Sequence, residues 1–91
     1  MQKIFTIIDE NGIHARPATA LVSAAMKFND VELYAEATGI KINLKSILGL
    51  LSLDLYPGDA LTLIAEGNEE NEALSTLHDV MIKEGLGVLH D

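Results

Sequence analysis

From Gln2 to Ile8 the chain reads Gln-Lys-Ile-Phe-Thr-Ile-Ile, β-branched and aromatic with partial alternation, which predicts a strand. Asp9-Glu10-Asn11-Gly12 follows as a turn. The period then changes: Ala18, Leu21, Val22, Ala25 and Phe28 recur at helical spacing and predict a helix with one buried stripe. Pro17 is expected at its first position, where the fixed φ suits the helix and the missing N–H has no intrahelical partner. Ala20 and Ala24 fall on the side of Arg16 and Lys27 and are expected to be exposed. Asn29-Asp30 ends the segment. Val31 to Ala37 alternates again, Thr38-Gly39 is a tight turn, and Ile40-Lys41-Ile42-Asn43 completes a hairpin.

Ser46 is a favoured N-cap, and Ile47-Leu48-Gly49-Leu50-Leu51-Ser52-Leu53 behind it is too apolar for an exposed strand. A short helix is predicted there. At about 100° per residue, Leu50 and Leu53 share one face while Ile47, Leu48 and Leu51 share another. Only one face can pack on a sheet, so the other is a candidate partner surface. Tyr56-Pro57-Gly58-Asp59 is a turn, and residues 60–66 form the fourth strand. Glu69, Glu70 and Glu72 then suit the start of a last helix, whose buried side is Ala73, Leu74, Leu77, Val80 and Met81. Gly85 is a natural stop, and 86–91 reads as a tail.

The order β-α-β-β-α-β-α predicts a two-layer α+β domain over residues 1–91, a mainly antiparallel four-stranded sheet with three helices on one face. Because the first β-α-β connection is a crossover, strands one and two should run parallel, with the fourth between them. At 91 residues this is one core, without cysteine and therefore without disulfides or thiolate metal sites. No apolar run approaches the ~20 residues that span a bilayer, and no secretory h-region is visible, so a soluble cytoplasmic protein is expected.

Charge refines the picture. Fourteen acids against six bases give a net charge of −8, which argues against nucleic acid and anionic membranes as partners. The acids concentrate in residues 54–91, leaving Arg16, Lys27, Lys41 and Lys45 to make the middle of the chain locally basic. That part could face an acidic protein.

The chemistry gathers in Gly12-Ile13-His14-Ala15-Arg16-Pro17-Ala18-Thr19. A histidine just before a helix lies beside unpaired backbone N–H groups and the positive end of the helix dipole, a ready anion site. Arg16 adds a planar multi-donor cation suited to phosphate. A lone pair of this kind is more often inert, but two motifs occur here. The eight-residue string and Asn43-Leu44-Lys45-Ser46-Ile47-Leu48-Gly49, with Lys83-Glu84-Gly85-Leu86-Gly87 near the end, resemble HPr, the histidine-containing phosphocarrier family of the sugar phosphotransferase system, in its Gram-positive form.

The resemblance implies an open-faced β-sandwich of sheet order 1-4-2-3. It implies that His14 accepts a phosphoryl group at Nδ1 from enzyme I and passes it to enzyme II A components, with Arg16 supporting the phosphate. It further implies that Ser46 is the serine modified by an HPr kinase/phosphorylase, whose product can act with a catabolite-control transcription factor. Ala20, Ala24, Lys27, Lys45, Ile47, Leu48 and Leu51 would form the docking surface of a monomer that needs no cofactor. Three departures stand out. Asp54 replaces a usual glycine, expected close to His14, where a carboxylate would repel phosphate and slow transfer. Leu48 and Leu51 replace methionines, stiffening the patch, and the chain is acidic for the family.

Other readings are weaker. A regulatory paralogue governed by Ser46 would not need His14. A hydrolase built on His14, Ser46 and an aspartate lacks an oxyanion hole or nucleophile elbow. His14, His78 and His90 fit no metal-ligand spacing, and the last two are expected to be exposed.

Overall fold

The computed structural model describes residues 1–90. Its elements are β1 (Gln2–Ile7), α1 (Ala15–Ala25), β2 (Val31–Ala37), β3 (Ile40–Asn43), α2 (Ile47–Leu51), β4 (Ala60–Gly67), α3 (Glu70–Lys83) and β5 (Gly87–Leu89). The sheet order is β3-β2-β4-β1-β5, every pair antiparallel. β1 and β2 both flank β4 and so run parallel without touching, as the crossover requires.

Alternation decides which side chains meet the helices. Phe5 and Ile7, Leu33 and Ala35, and Leu61, Leu63 and Ala65 point inward and are buried. Leu21 and Ala25 of α1, Leu50 of α2, and Leu74, Leu77 and Met81 of α3 close over them. The opposite face stays open to solvent, where Lys41 lies 4.4 Å over the Tyr34 ring. A sheet covered on one face is why its strands alternate so legibly.

Four expectations are corrected. The segment read as a tail contains β5, a fifth strand on the β1 edge. Three residues are too few for alternation to register; pairing holds them, with Leu86 buried and its carbonyl accepting from the Ile8 and Asp9 N–H groups at 2.9 and 3.3 Å. Helix α1 begins two residues before Pro17, which occupies the third helical position. The ring is tolerated there because first-turn N–H groups have no intrahelical acceptor anyway. Ala24 is buried rather than exposed, in a helix that packs against both α2 and α3. His78 is half-buried, its ring 6.0 Å from that of Phe5.

Helix α3 ends in a Schellman motif. Gly85, at φ 65°, lets its own N–H reach the Ile82 carbonyl and the Leu86 N–H reach the Met81 carbonyl, both at 3.1 Å. This termination turns the chain towards β1 and brings Lys83 and Glu84 to the loop that precedes α1.

Candidate functional site

The β1–α1 loop is built around Asp9. Its Oδ1 accepts from the Asn11 N–H at 2.9 Å, its carbonyl accepts from the Gly12 N–H at 2.9 Å, and its Oδ2 lies 3.1 Å from His14 Nε2. Asx turns of this kind are what Asp-x-Asn-Gly strings favour. The Asn11 N–H, and next the hydrogen bond with His14, hold the Asp9 carboxyl below the usual carboxylate range. Gly12 then takes φ 63° and passes so close to the neighbouring loop that a Cβ would stand 1.9 Å from the Leu55 carbonyl oxygen. That same oxygen accepts from the Ile13 N–H at 3.2 Å, tying the loop down one residue before His14.

His14 is the N-cap of α1, in extended conformation at φ −133°. Its side chain makes no cap bond, and its carbonyl accepts the first helical bond, from the Ala18 N–H at 3.1 Å. The Ala15 and Arg16 N–H groups thus point out of the helix start with no intrahelical acceptor. His14 is partly exposed, and among the described residues Nδ1 has no hydrogen-bond partner. An open cleft of about 390 Å³ lies in front of it, lined by Asp9, Asn11, His14, Arg16, Pro17, Lys83 and Glu84. Arg16 is 87% exposed and only 3.9 Å from Glu84, a weak, screened pair that leaves the guanidinium able to turn towards an anion.

Asp54 is not in this cleft. Its carboxylate accepts from the Tyr56 hydroxyl at 3.2 Å, and its charge pushes the Tyr56 phenol up. Among the described residues the carboxylate in contact with His14 is that of Asp9. What distinguishes Asp54 is its backbone, at φ 53°, a region that favours glycine. Asp54→Gly is therefore expected to raise stability by about 0.5 kcal/mol, the relief of left-handed strain less the added entropy of the unfolded chain. Urea unfolding reads the gain directly, and any phosphoryl transfer at His14 should change less than twofold.

Ser46 caps α2, its Oγ accepting from the Gly49 N–H at 3.0 Å, and it is exposed. It does not line the His14 cleft, although α1 and α2 touch. Around it Leu48 is 78% exposed, Ile47 and Leu51 are half-buried against the core edge, and Leu50 is fully buried. Lys27 is exposed and Ala20 half-buried on α1. Lys45 is less available than its charge suggests, because Nζ donates to the Phe28 carbonyl at 2.6 Å. Lys41 belongs to the open sheet face, so the basic residues of the middle segment do not form one patch.

The turn was legible around Asp9, but not its role. Contact between residues 9 and 14 depends on how the loop folds, and Glu84 arrives from 68 residues beyond Arg16. The only early signal for Asp9 was its Asx-turn string. Among the described residues no group of three or more His, Cys, Asp or Glu side chains is placed to hold a metal ion, and no helix is long and apolar enough to cross a membrane.

An open-faced α+β sandwich with a histidine capping its first helix defines a class of small phosphocarriers, and the comparisons name it. A family model described as "PTS HPr component phosphorylation site" matches residues 1–83. The chain belongs to the PTS-HPr family. A Mycoplasma histidine-containing phosphocarrier protein is 31% identical with a TM-score of 0.92, covering 96% of this chain and 98% of its own. The phosphocarrier protein HPr of Bacillus anthracis is 35% identical with a TM-score of 0.79, covering 88% and 94%. The catabolite repression protein Crh of Bacillus subtilis, solved as a domain-swapped dimer, is 40% identical with a TM-score of 0.72, covering 90% of each chain.

Proposed function

We propose that this protein carries phosphoryl groups in the cytoplasm: His14 accepts one from the phosphohistidine of enzyme I and hands it to a histidine on a sugar-specific enzyme II A component. The observation that carries this reading is His14 at the N-cap of α1, with Nδ1 unpartnered among the described residues, lining an open cleft with Arg16. Imidazole is a competent nucleophile near neutral pH. The bound phosphoryl group meets first-turn N–H groups, the helix dipole and one exposed guanidinium, which support its charge without enclosing it. A carrier needs that moderation, because it must release what it accepts. The protein is thus a substrate of its partners rather than a catalyst with its own turnover.

Ser46 is the regulatory position in this reading, phosphorylated by an HPr kinase/phosphorylase and read in that form by a catabolite-control transcription factor. A phosphate there adds about −1.5 to −2 charge at the start of α2, beside Leu48, and still offers acceptor oxygens to the Gly49 N–H. It alters the docking surface more than the fold. A purely regulatory role is the second reading, and the similarity to Crh favours it. His14 and Arg16, which such a role would not need, favour the carrier.

Incubation with phosphoenolpyruvate and enzyme I separates the two. Acid-labile phosphate is expected on the protein and on Ser46→Ala, and none on His14→Ala. No label in the presence of competent enzyme I would leave the regulatory reading.

A further inference from the structure

The contact between Asp9 and His14 has a chemical consequence that neither motif contains. Asp9 Oδ2 lies 3.1 Å from Nε2, and the residue is anchored on every side. Its Oδ1 holds the Asn11 N–H, its carbonyl holds the Gly12 N–H, and its own N–H reaches the Leu86 carbonyl delivered by the Schellman turn. An ionised carboxylate can only accept, so Nε2 must carry the proton. The lone pair of the neutral ring is then on Nδ1, the nitrogen without a partner, in a residue that lines the cleft. A carboxylate fixing a histidine tautomer through its far nitrogen is a recurrent device in metal sites and hydrolase triads.

We propose that Asp9 is the positioning residue of the phosphoryl transfer, holding His14 as the Nε2–H tautomer and then compensating the charge of the phosphorylated ring. The proposal rests on His14 being the phosphoryl acceptor. In the forward step the Nδ1 lone pair attacks phosphorus, the donor's N–P bond breaks, and its electron pair returns to the donor ring. If that ring keeps its own N–H, it leaves as neutral imidazole. His14 retains Nε2–H throughout, so no proton is transferred, and its ring becomes a phosphoimidazolium whose positive charge faces the Asp9 carboxylate. The other charged groups around the cleft are Arg16 and Lys83 against Glu84. Of these only Asp9 contacts the ring, so the compensating charge for the ring itself comes from it.

Two variants divide the role. Asp9→Asn keeps only one acceptor oxygen, enough for the Asn11 N–H or for Nε2–H but not for both, and removes the charge. Asp9→Ala removes both. Imidazole ¹⁵N shifts of the unphosphorylated protein, at a pH where the ring is neutral, report the tautomer. The wild type should show a protonated Nε2 and a bare Nδ1, whereas in Asp9→Ala the two shifts should move towards each other. With phosphoenolpyruvate and enzyme I, the equilibrium fraction of phosphorylated protein relative to phosphorylated enzyme I should fall about three- to tenfold in Asp9→Asn, and the initial rate further in Asp9→Ala.

Unchanged ring shifts in Asp9→Ala would overturn the proposal even if its rate dropped, since a loosened loop alone could lower the rate. Wild-type phosphorylation equilibrium in Asp9→Asn would overturn the charge-compensating part. Absence of label on the wild type would instead fail the carrier reading, while the ring shifts still test the tautomer.

Discussion

Gly12→Ala is expected to destabilise the domain by about 2–5 kcal/mol and to displace His14. Two terms act on the same atom. A residue with a Cβ at positive φ is strained by about 1–2 kcal/mol, and forcing bulk into a packed site adds about 1–3 kcal/mol. The clash here is with backbone, because the Leu55 carbonyl oxygen stands 1.9 Å from where Cβ would be. That carbonyl cannot retreat without losing the Ile13 N–H it holds at 3.2 Å. Relief must come from the β1–α1 loop itself, which carries the Asp9 and Asn11 contacts and sets the start of α1. Denaturant unfolding measures the loss, and phosphorylation by enzyme I under folding conditions should fall with it. A variant as stable as the parent would show that this loop yields more easily than its packing implies.

Leu48→Glu should do the opposite, sparing the fold and removing the partner. Leu48 is 78% exposed, so its replacement should change stability by no more than about 0.5 kcal/mol. Loss of an exposed leucine at the centre of a docking patch is expected to cost about 1.4–2.8 kcal/mol, a 10- to 100-fold weakening of affinity. Calorimetric titration with enzyme I reads it. Its neighbour supplies the control: Leu50 is fully buried, and Leu50→Ala should cost about 2–5 kcal/mol of stability. Equal affinity of Leu48→Glu and the parent would place docking elsewhere on the molecule.

The contrast between Leu48 and Leu50 also shows why so much of the fold was readable. Helical phase alone separated Leu50 and Leu53 from Ile47, Leu48 and Leu51, because a sheet can bury only one side of a helix. Strand alternation in 31–37 and 60–66 was equally plain, since the sheet is open on one face and every second residue meets water. The crossover placed the fourth strand between the first two. Asp54 is the instructive case: its sequence position stood out, but its left-handed backbone and its bond from the Tyr56 hydroxyl have no signature in the sequence.

By itself the sequence determined the periodic elements, the cap at Ser46, the stop at Gly85 and the family-like motifs, all of which depend on neighbours within a turn or a strand. Tertiary structure alone decided the fifth strand, the burial of Ala24 and His78, and the surroundings of His14. Those depend on chain segments that meet only after folding: Leu86 against Ile8 and Asp9, Leu55 against Ile13, and Glu84 against Arg16. A carboxylate five residues before a histidine has no periodic signature. It acquires one role out of many only when a glycine at positive φ and a carbonyl from another loop hold the turn that joins them.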